Sequence, residues 1–277
     1  MNALLETGDH VICLAPTYQS LHEISRSIGA ELSLWQQHHE NGQWQVDFDE
    51  LEALIRPNTR LIVINTPSNP TGYTFSNEEL KVLYRIAVKH GIYLSSDEVY
   101  KGLELDGEPR VWAADLYERA MSLGVLSKAH GLPGLRIGWL AGQDRALLEK
   151  IRRYKHYLSI CCAAPAEQLA MVALKHSDRL LARNVQIIRE NLAFANDFFA
   201  RHDDLFANHP PQCGPIAFHQ LKHRDSVDDF CHCLVMEAGI LFLPGSKYDY
   251  TEPFFRMGYG RKNMQENLGK LEQYLNR

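Results

Sequence analysis

Short apolar runs rich in Val, Ile and Leu recur through the first half of the chain, and helical patterns separate them. Residues 10–15, 31–35, 61–65, 92–96 and 121–126 read as strands. They are short and strongly apolar, as strands covered on both faces are. Between two of them, Ser76 and Glu79 form a capping box ahead of the stripe Leu80, Leu83, Ile86 and Ala87, and Gly91 ends that helix. Strand alternating with helix predicts an α/β fold, with a mainly parallel sheet and flanking helices.

The second half changes character. Residues 145–158 read as an amphipathic helix, and Ser177 is placed to cap a long helix through Leu180, Ile187, Ile188, Leu192 and Phe198. A strand at 216–221, a helix at 226–238 and strands at 240–243 and 254–257 follow. A last helix starts at Asn263, with Glu266 completing a box. This smaller-scale mixture predicts a second, α+β unit, with the long helix as the bridge. Residues 1–6 form about one and a half helical turns stopped by Thr7-Gly8, too short to stand alone, and they read as the end of a longer helix.

Composition excludes several classes. The chain has 277 residues, 45% of them apolar, which suffices for a sizeable core. Its net charge of −5 argues against a strongly basic nucleic-acid binder. No apolar run approaches the ~18 residues of a membrane span, and the first residues lack the parts of a signal peptide. The six cysteines are unevenly placed and do not resemble a disulfide framework, so a reducing cytoplasm is expected. Cys231-His232-Cys233 lies within a predicted helix, where i and i+2 point to different faces, so no metal is expected there. His38-His39-Glu40 reads as a solvated turn.

Three polar clusters sit where predicted strands end. Strand 61–65 runs into Thr66-Pro67-Ser68-Asn69-Pro70-Thr71-Gly72. Strand 92–96 runs into Asp97-Glu98-Val99-Tyr100. Strand 121–126 runs into Ser127-Lys128 and then Gly131-Leu132-Pro133-Gly134-Leu135-Arg136. Open α/β sheets bind ligands at the carboxyl ends of their strands. An Asn, an Asp, a Tyr, a Lys and an Arg delivered to that edge form a constellation, whereas any one alone would mean little.

In this order, Asn69-Pro70-Thr71-Gly72, Ser96-Asp97-Glu98-Val99-Tyr100 and Ser127-Lys128 through Arg136-Ile137-Gly138-Trp139 resemble the class I/II aminotransferases. These are fold type I enzymes that use pyridoxal 5'-phosphate (PLP). The similarity extends over essentially the whole chain. Phe255-Arg256-Met257-Gly258 resembles their substrate-carboxylate arginine, and Pro16-Thr17-Tyr18 the segment whose ring stacks on the cofactor. The resemblance implies Lys128 as the Schiff-base residue and proton carrier, because an amine condenses with an aldehyde. It implies Asp97 at the pyridine nitrogen, and Asn69 and Tyr100 at the phenolic oxygen. Arg136 is expected at the phosphate, Ser127 among the cofactor-binding residues, Tyr18 on the ring face, and Arg256 on an α-carboxylate. It also implies amino-acid and 2-oxo-acid substrates and a homodimer. Residues 1–150 are then the large cofactor-binding domain, 151–200 the bridging helices and 201–277 the small domain.

The sequence departs from the family pattern in two ways. The family has a substantial segment ahead of the part matched here, carrying a Gly-containing loop and a helix N-terminus that bind the phosphate. On this reading the large domain is N-terminally incomplete. Many members also carry a Ser three positions before the lysine, where this chain has Val125. Two alternatives to transamination therefore stay open. One is another PLP reaction on an amino acid, such as a lyase, a decarboxylase or a cyclising synthase. The other is a non-catalytic remnant.

Overall fold

Seven strands form the larger sheet of the computed structural model, which describes residues 1–40, 42–222 and 226–277. They are β1 (His10–Ala15), β2 (Glu31–Glu40), β3 (Gln43–Val46), β4 (Thr59–Asn65), β5 (Tyr93–Asp97), β6 (Ala120–Val125) and β7 (Gly138–Gly142). Their spatial order is β3-β2-β1-β4-β5-β6-β7. The five strands from β2 to β6 in that order are parallel, and β3 and β7 close the two edges antiparallel. The mainly parallel α/β fold expected from the alternation is the one observed.

Burial explains the continuous apolar runs. Ile12, Leu14, Ile62 and Ile64 pack into one core with Leu80, Leu83 and Ile86 of α3 (Asn77–His90). Their neighbours Val11, Cys13, Leu61 and Val63 pack into another, beneath Leu21 and Ile28 of α1 (Ser20–Ile28). Successive side chains point to opposite faces of a strand, so a strand buried on both faces loses its polar alternation. The capping box on α3 forms in both directions, with Glu79 N–H donating to Ser76 Oγ at 3.2 Å and Ser76 N–H to Glu79 Oε2 at 2.7 Å. Gly91 closes that helix in the left-handed conformation.

Two short helices, α2 (Phe48–Leu54) and α4 (Ala113–Leu116), complete this part of the chain. Three longer ones follow: α5 (Arg145–Ser159), α6 (Ala164–Lys175) and the 25-residue α7 (Ser177–Arg201). A second sheet contains β8 (Phe206–Ala207), β9 (Ile216–Leu221), β10 (Leu243–Pro244) and β11 (Phe254–Gly258), in the order β10-β11-β9-β8. It packs with α7, α8 (Val227–Ala238) and α9 (Met264–Leu275) around Phe198, Phe206, Phe230, Phe255 and Leu271.

Several local expectations change. His38, His39 and Glu40 are not a solvated turn. They extend β2 and pair with Gln45, Trp44 and Gln43 of β3, because the Trp44 ring is buried and draws the hairpin inward. Ser177 does not cap α7. It is the first helical residue, and its hydroxyl bonds His130 Nε2 at 2.9 Å. No box forms at Asn263, since Glu266 pairs with Lys270 at 2.7 Å instead. The strand expected at 240–243 shrinks to β10, because Ile240 and Phe242 turn into the small core. Residues 1–5 make a turn in which the Leu4 and Leu5 N–H groups bond the Met1 carbonyl.

Candidate active site

Strand order reverses between β1 and β4, with β2 and β3 stacked outward on one side and β5 and β6 on the other. Such a switch point opens a crevice at the carboxyl ends of the strands. Tyr18 follows β1 there, Asn69 follows β4, Asp97 ends β5, and Lys128 follows β6. A cavity of ≈ 470 Å³ is lined by all four, together with Asn65, Tyr100 and Ser127. A second cavity, ≈ 870 Å³, lies toward the small sheet and is lined by Arg256 and the 239–242 segment. The two share Tyr100, Ser127 and Lys128, so the lysine stands where they meet.

Backbone hydrogen bonds hold these loops in register. Thr66 N–H bonds the Asp97 carbonyl, Glu98 N–H the Leu123 carbonyl, and Ala129 N–H the Val99 carbonyl. Gln37 adds a buried brace. Its Nε2 donates to the Pro16 carbonyl at 3.0 Å and its Oε1 accepts from Thr71 Oγ1 at 2.7 Å. The loop carrying Tyr18 is thus tied to the loop carrying Asn69. Asn65 ties two more groups, its Oδ1 accepting from Asn69 N–H at 2.7 Å and its Nδ2 donating to the Asp97 carbonyl at 2.9 Å.

Asp97 is buried, and its Oδ1 accepts from Val99 N–H at 3.2 Å. Burial pushes its carboxyl up to about 6, while the Val99 N–H and the Lys128 charge pull it back down. Burial also pushes the Tyr100 hydroxyl up to about 12, against the opposing charge of Arg256, so it is a phenol near neutral pH. Arg256 is half-buried, and its Nη1 donates to Asn69 Oδ1 at 3.1 Å. Tyr18 is exposed at 54%, with its ring free to take a flat partner.

Arg136 lies outside both linings. Its guanidinium is exposed, with Nη1 bonded to the Pro133 carbonyl at 3.0 Å. Val125, three positions before Lys128, does line the smaller cavity. Sequence reasoning missed Gln37, Asn65 and Tyr248. Asn65 carried a signal, as a polar residue closing an apolar strand. Tyr248 carried none, because it stands 179 residues from the Asn69 it bonds.

A buried carboxylate and a primary amine on one cavity make a particular donor set. The carboxylate gains most from a cationic ring nitrogen, which would relieve its burial, and the amine suits an electrophilic carbonyl carbon. The comparisons with known proteins agree with that chemistry. The family model for Aminotransferase class I and II matches residues 1–271. Capreomycidine synthase of Streptomyces vinaceus is 30% identical over 270 residues, covering 96% of this chain and 68% of that protein. Aspartate aminotransferase of Thermotoga maritima is 26% identical over 278 residues, covering 99% and 71%. Aromatic-amino-acid aminotransferase 2 of Thermococcus litoralis is 27% identical, covering 86% and 62%. The chain thus spans between 62% and 71% of the length of these three relatives. Among solved structures, a PLP-dependent aminotransferase from Streptococcus suis superposes with a TM-score of 0.92 at 36% identity, covering 100% of this chain and 73% of that one. A PLP-dependent cyclase, OrfR, superposes at 0.88 with 27% identity, covering 99% and 74%. With its motifs gathered on the crevice of a fold type I sheet, the chain belongs to the class I and II aminotransferases, whose cofactor is pyridoxal phosphate.

Proposed function

We propose that this chain carries the site of an aminotransferase that moves an amino group between an amino acid and a 2-oxo acid by a ping-pong reaction. The observation that supports it best is the pairing of buried Asp97 with Lys128 on one cavity at the ends of β5 and β6. The residues present suit PLP. Asp97 would hold the ring nitrogen, Asn69 and Tyr100 the phenolic oxygen, and Lys128 the aldehyde carbon. Ser127 would lie beside the cofactor and Tyr18 on its ring face, while the Arg136 guanidinium would have to leave the Pro133 carbonyl and turn inward to reach the phosphate. When bound, the cofactor supplies an electron sink for the substrate's α-carbon.

The chain's own groups do the rest. Asp97, as a carboxylate, keeps a proton on the ring nitrogen, which no neutral side chain would do as well. The Lys128 amine would hold the cofactor's aldehyde carbon and, when free, would serve as the base that moves the proton at the substrate's α-carbon. Arg256 takes the α-carboxylate through a two-pronged contact and so orients the substrate over Lys128. Residues 1–150 form the cofactor-binding part, 151–200 the bridging helices and 201–277 the small domain. A second copy would cover the exposed apolar residues Tyr157 and Leu158 of α5, Leu169 and Val172 of α6, and Ile160 between the two helices. All six cysteines are unpaired. Among the described residues, no helix is long and apolar enough to cross a membrane.

One specific observation favours a second reading. A capreomycidine synthase and a PLP-dependent cyclase are among the similar proteins, so the same residues could serve a cyclising synthase acting on an amino acid. Product analysis separates the two, as a 2-oxo acid or a cyclised amino acid. The first experiment is a visible absorption titration with PLP, followed by borohydride trapping and peptide mapping. A band trapped on Lys128 and lost in Lys128→Ala is expected. A folded chain with no band, or an adduct that persists in Lys128→Ala, would overturn the reading.

A further inference from the structure

Asn69 Oδ1 accepts from two donors that approach from the small-sheet side of the molecule. Arg256 Nη1 lies 3.1 Å away and the Tyr248 hydroxyl 3.2 Å away. A guanidinium has donors only, so the amide atom facing Arg256 is the oxygen. The Tyr248 hydroxyl therefore also donates to it. Burial pushes the Tyr248 hydroxyl up from its ordinary pKa, so it keeps its proton near neutral pH. The amide nitrogen is then turned away from both donors. Nδ2 has no protein acceptor among the described residues, and Asn69 lines the ≈ 470 Å³ cavity.

We propose that Tyr248 is a positioning residue that locks the Asn69 amide with its NH2 group turned to the cofactor's phenolic oxygen. This rests on the PLP reading of the cavity. An amide offers an oxygen or an NH2 of nearly the same shape, and only the NH2 can donate to a phenolate. Arg256 alone would leave the lock to a side chain that must also grip substrate. Tyr248 does not share that duty. Its ring is held by Phe218 in the core beneath the crevice, with centroids 5.9 Å apart. The lock therefore persists when Arg256 turns to a carboxylate.

Losing the donor would make the phenolic oxygen a stronger partner for the proton shared with the Lys128 nitrogen. The test is the pH titration of the visible band in wild type, Tyr248→Phe and Tyr250→Phe, with PLP affinity measured by equilibrium dialysis. Tyr250 packs on the same Phe218, but the donors to Asn69 Oδ1 are Tyr248 and Arg256, which makes the Tyr250 variant the packing control. For Tyr248→Phe the band midpoint is expected to rise by about half a pH unit, with PLP binding about five-fold weaker, the size of one neutral hydrogen bond. Tyr250→Phe is expected to keep the wild-type midpoint. A Tyr248→Phe midpoint equal to wild type, or an equal shift in both variants, would overturn the proposal. A wild-type chain that shows no band would instead remove the cofactor reading itself, and this inference with it.

Discussion

Asp97 concentrates the conflict on which the site depends. Burial raises its carboxyl from the ordinary 3.8 to about 6, so folding opposes its ionisation. For a group whose folded pKa is raised, stability is greatest below the unfolded value and declines as pH rises through the folded one. In the cofactor-free chain that decline falls between about pH 4 and pH 6 and amounts to roughly 3 kcal/mol. A bound cationic ring nitrogen would relieve it. Asp97→Asn is expected to flatten this part of the stability profile in urea melts of the cofactor-free chain. The same variant should keep the borohydride-fixed adduct on Lys128 and lose about 10²-fold in kcat, the scale of one preorganised electrostatic contact. Undiminished turnover would count against Asp97 as the group that holds the ring nitrogen's proton.

Among the elements, the loop between β4 and α3 matters most, because it carries Asn69 and docks on the small sheet. Gly72 makes that docking possible. Its φ is +71°, and a Cβ there would lie 2.4 Å from Pro211 Cβ and 2.5 Å from the Ile216 carbonyl oxygen. Its carbonyl accepts from the N–H groups of Gln212 and Cys213, and its N–H bonds the Ser68 carbonyl. Gly72→Ala therefore strains the turn and wedges the loop from its support. A loss of about 1–3 kcal/mol in chemical denaturation is expected, with weakened PLP binding because Asn69 moves with the loop. By contrast the Ser76–Glu79 box shortly after it is a local device, and it formed as its three-residue spacing predicted.

Across the whole molecule, the large sheet and the small one meet over a group of histidines. His39 of β2 and His209 have ring centroids 3.9 Å apart, and His209 N–H donates to Nδ1 of buried His219 at 3.0 Å. Burial lowers His209 to about 4 and His219 to about 3, and it lowers His39 as well. The His39 charge and Lys222 depress His209 further, while Glu252 opposes the shift at His39. A depressed folded pKa gives stability that is present above the unfolded value, near 6.5, and is lost as pH falls toward the folded one. The melting temperature is thus expected to fall on acidification from pH 7 to pH 4, more steeply than Asp97 alone can offset. His209→Phe keeps a ring against Phe254 and removes one titrating group, so its acid limb should be shallower. An unchanged limb would show that these histidines do not govern the acid response.

Much of this protein was legible in local order along the chain. Strands covered on both faces announce themselves as apolar runs, and the polar residues of the crevice follow them directly. Asn69, Asp97, Tyr100, Ser127 and Lys128 could therefore be named from their places after strands, and the structure gathers them on one cavity. What could not be read depends on contacts between distant segments. The antiparallel β7 and the hairpin through His39 need partners that the local pattern does not specify, and Trp44 and Gly124 reveal their packing only once the chain is folded. Tyr248 reaches Asn69 across 179 residues, and Gln37 reaches Pro16 and Thr71 from the middle of a strand. Hydrophobic periodicity is a property of neighbours in sequence, so the sequence by itself determined the layers and the order of the site's residues. Hydrogen-bond direction is a property of neighbours in space, so only the tertiary structure decided which way the Asn69 amide turns.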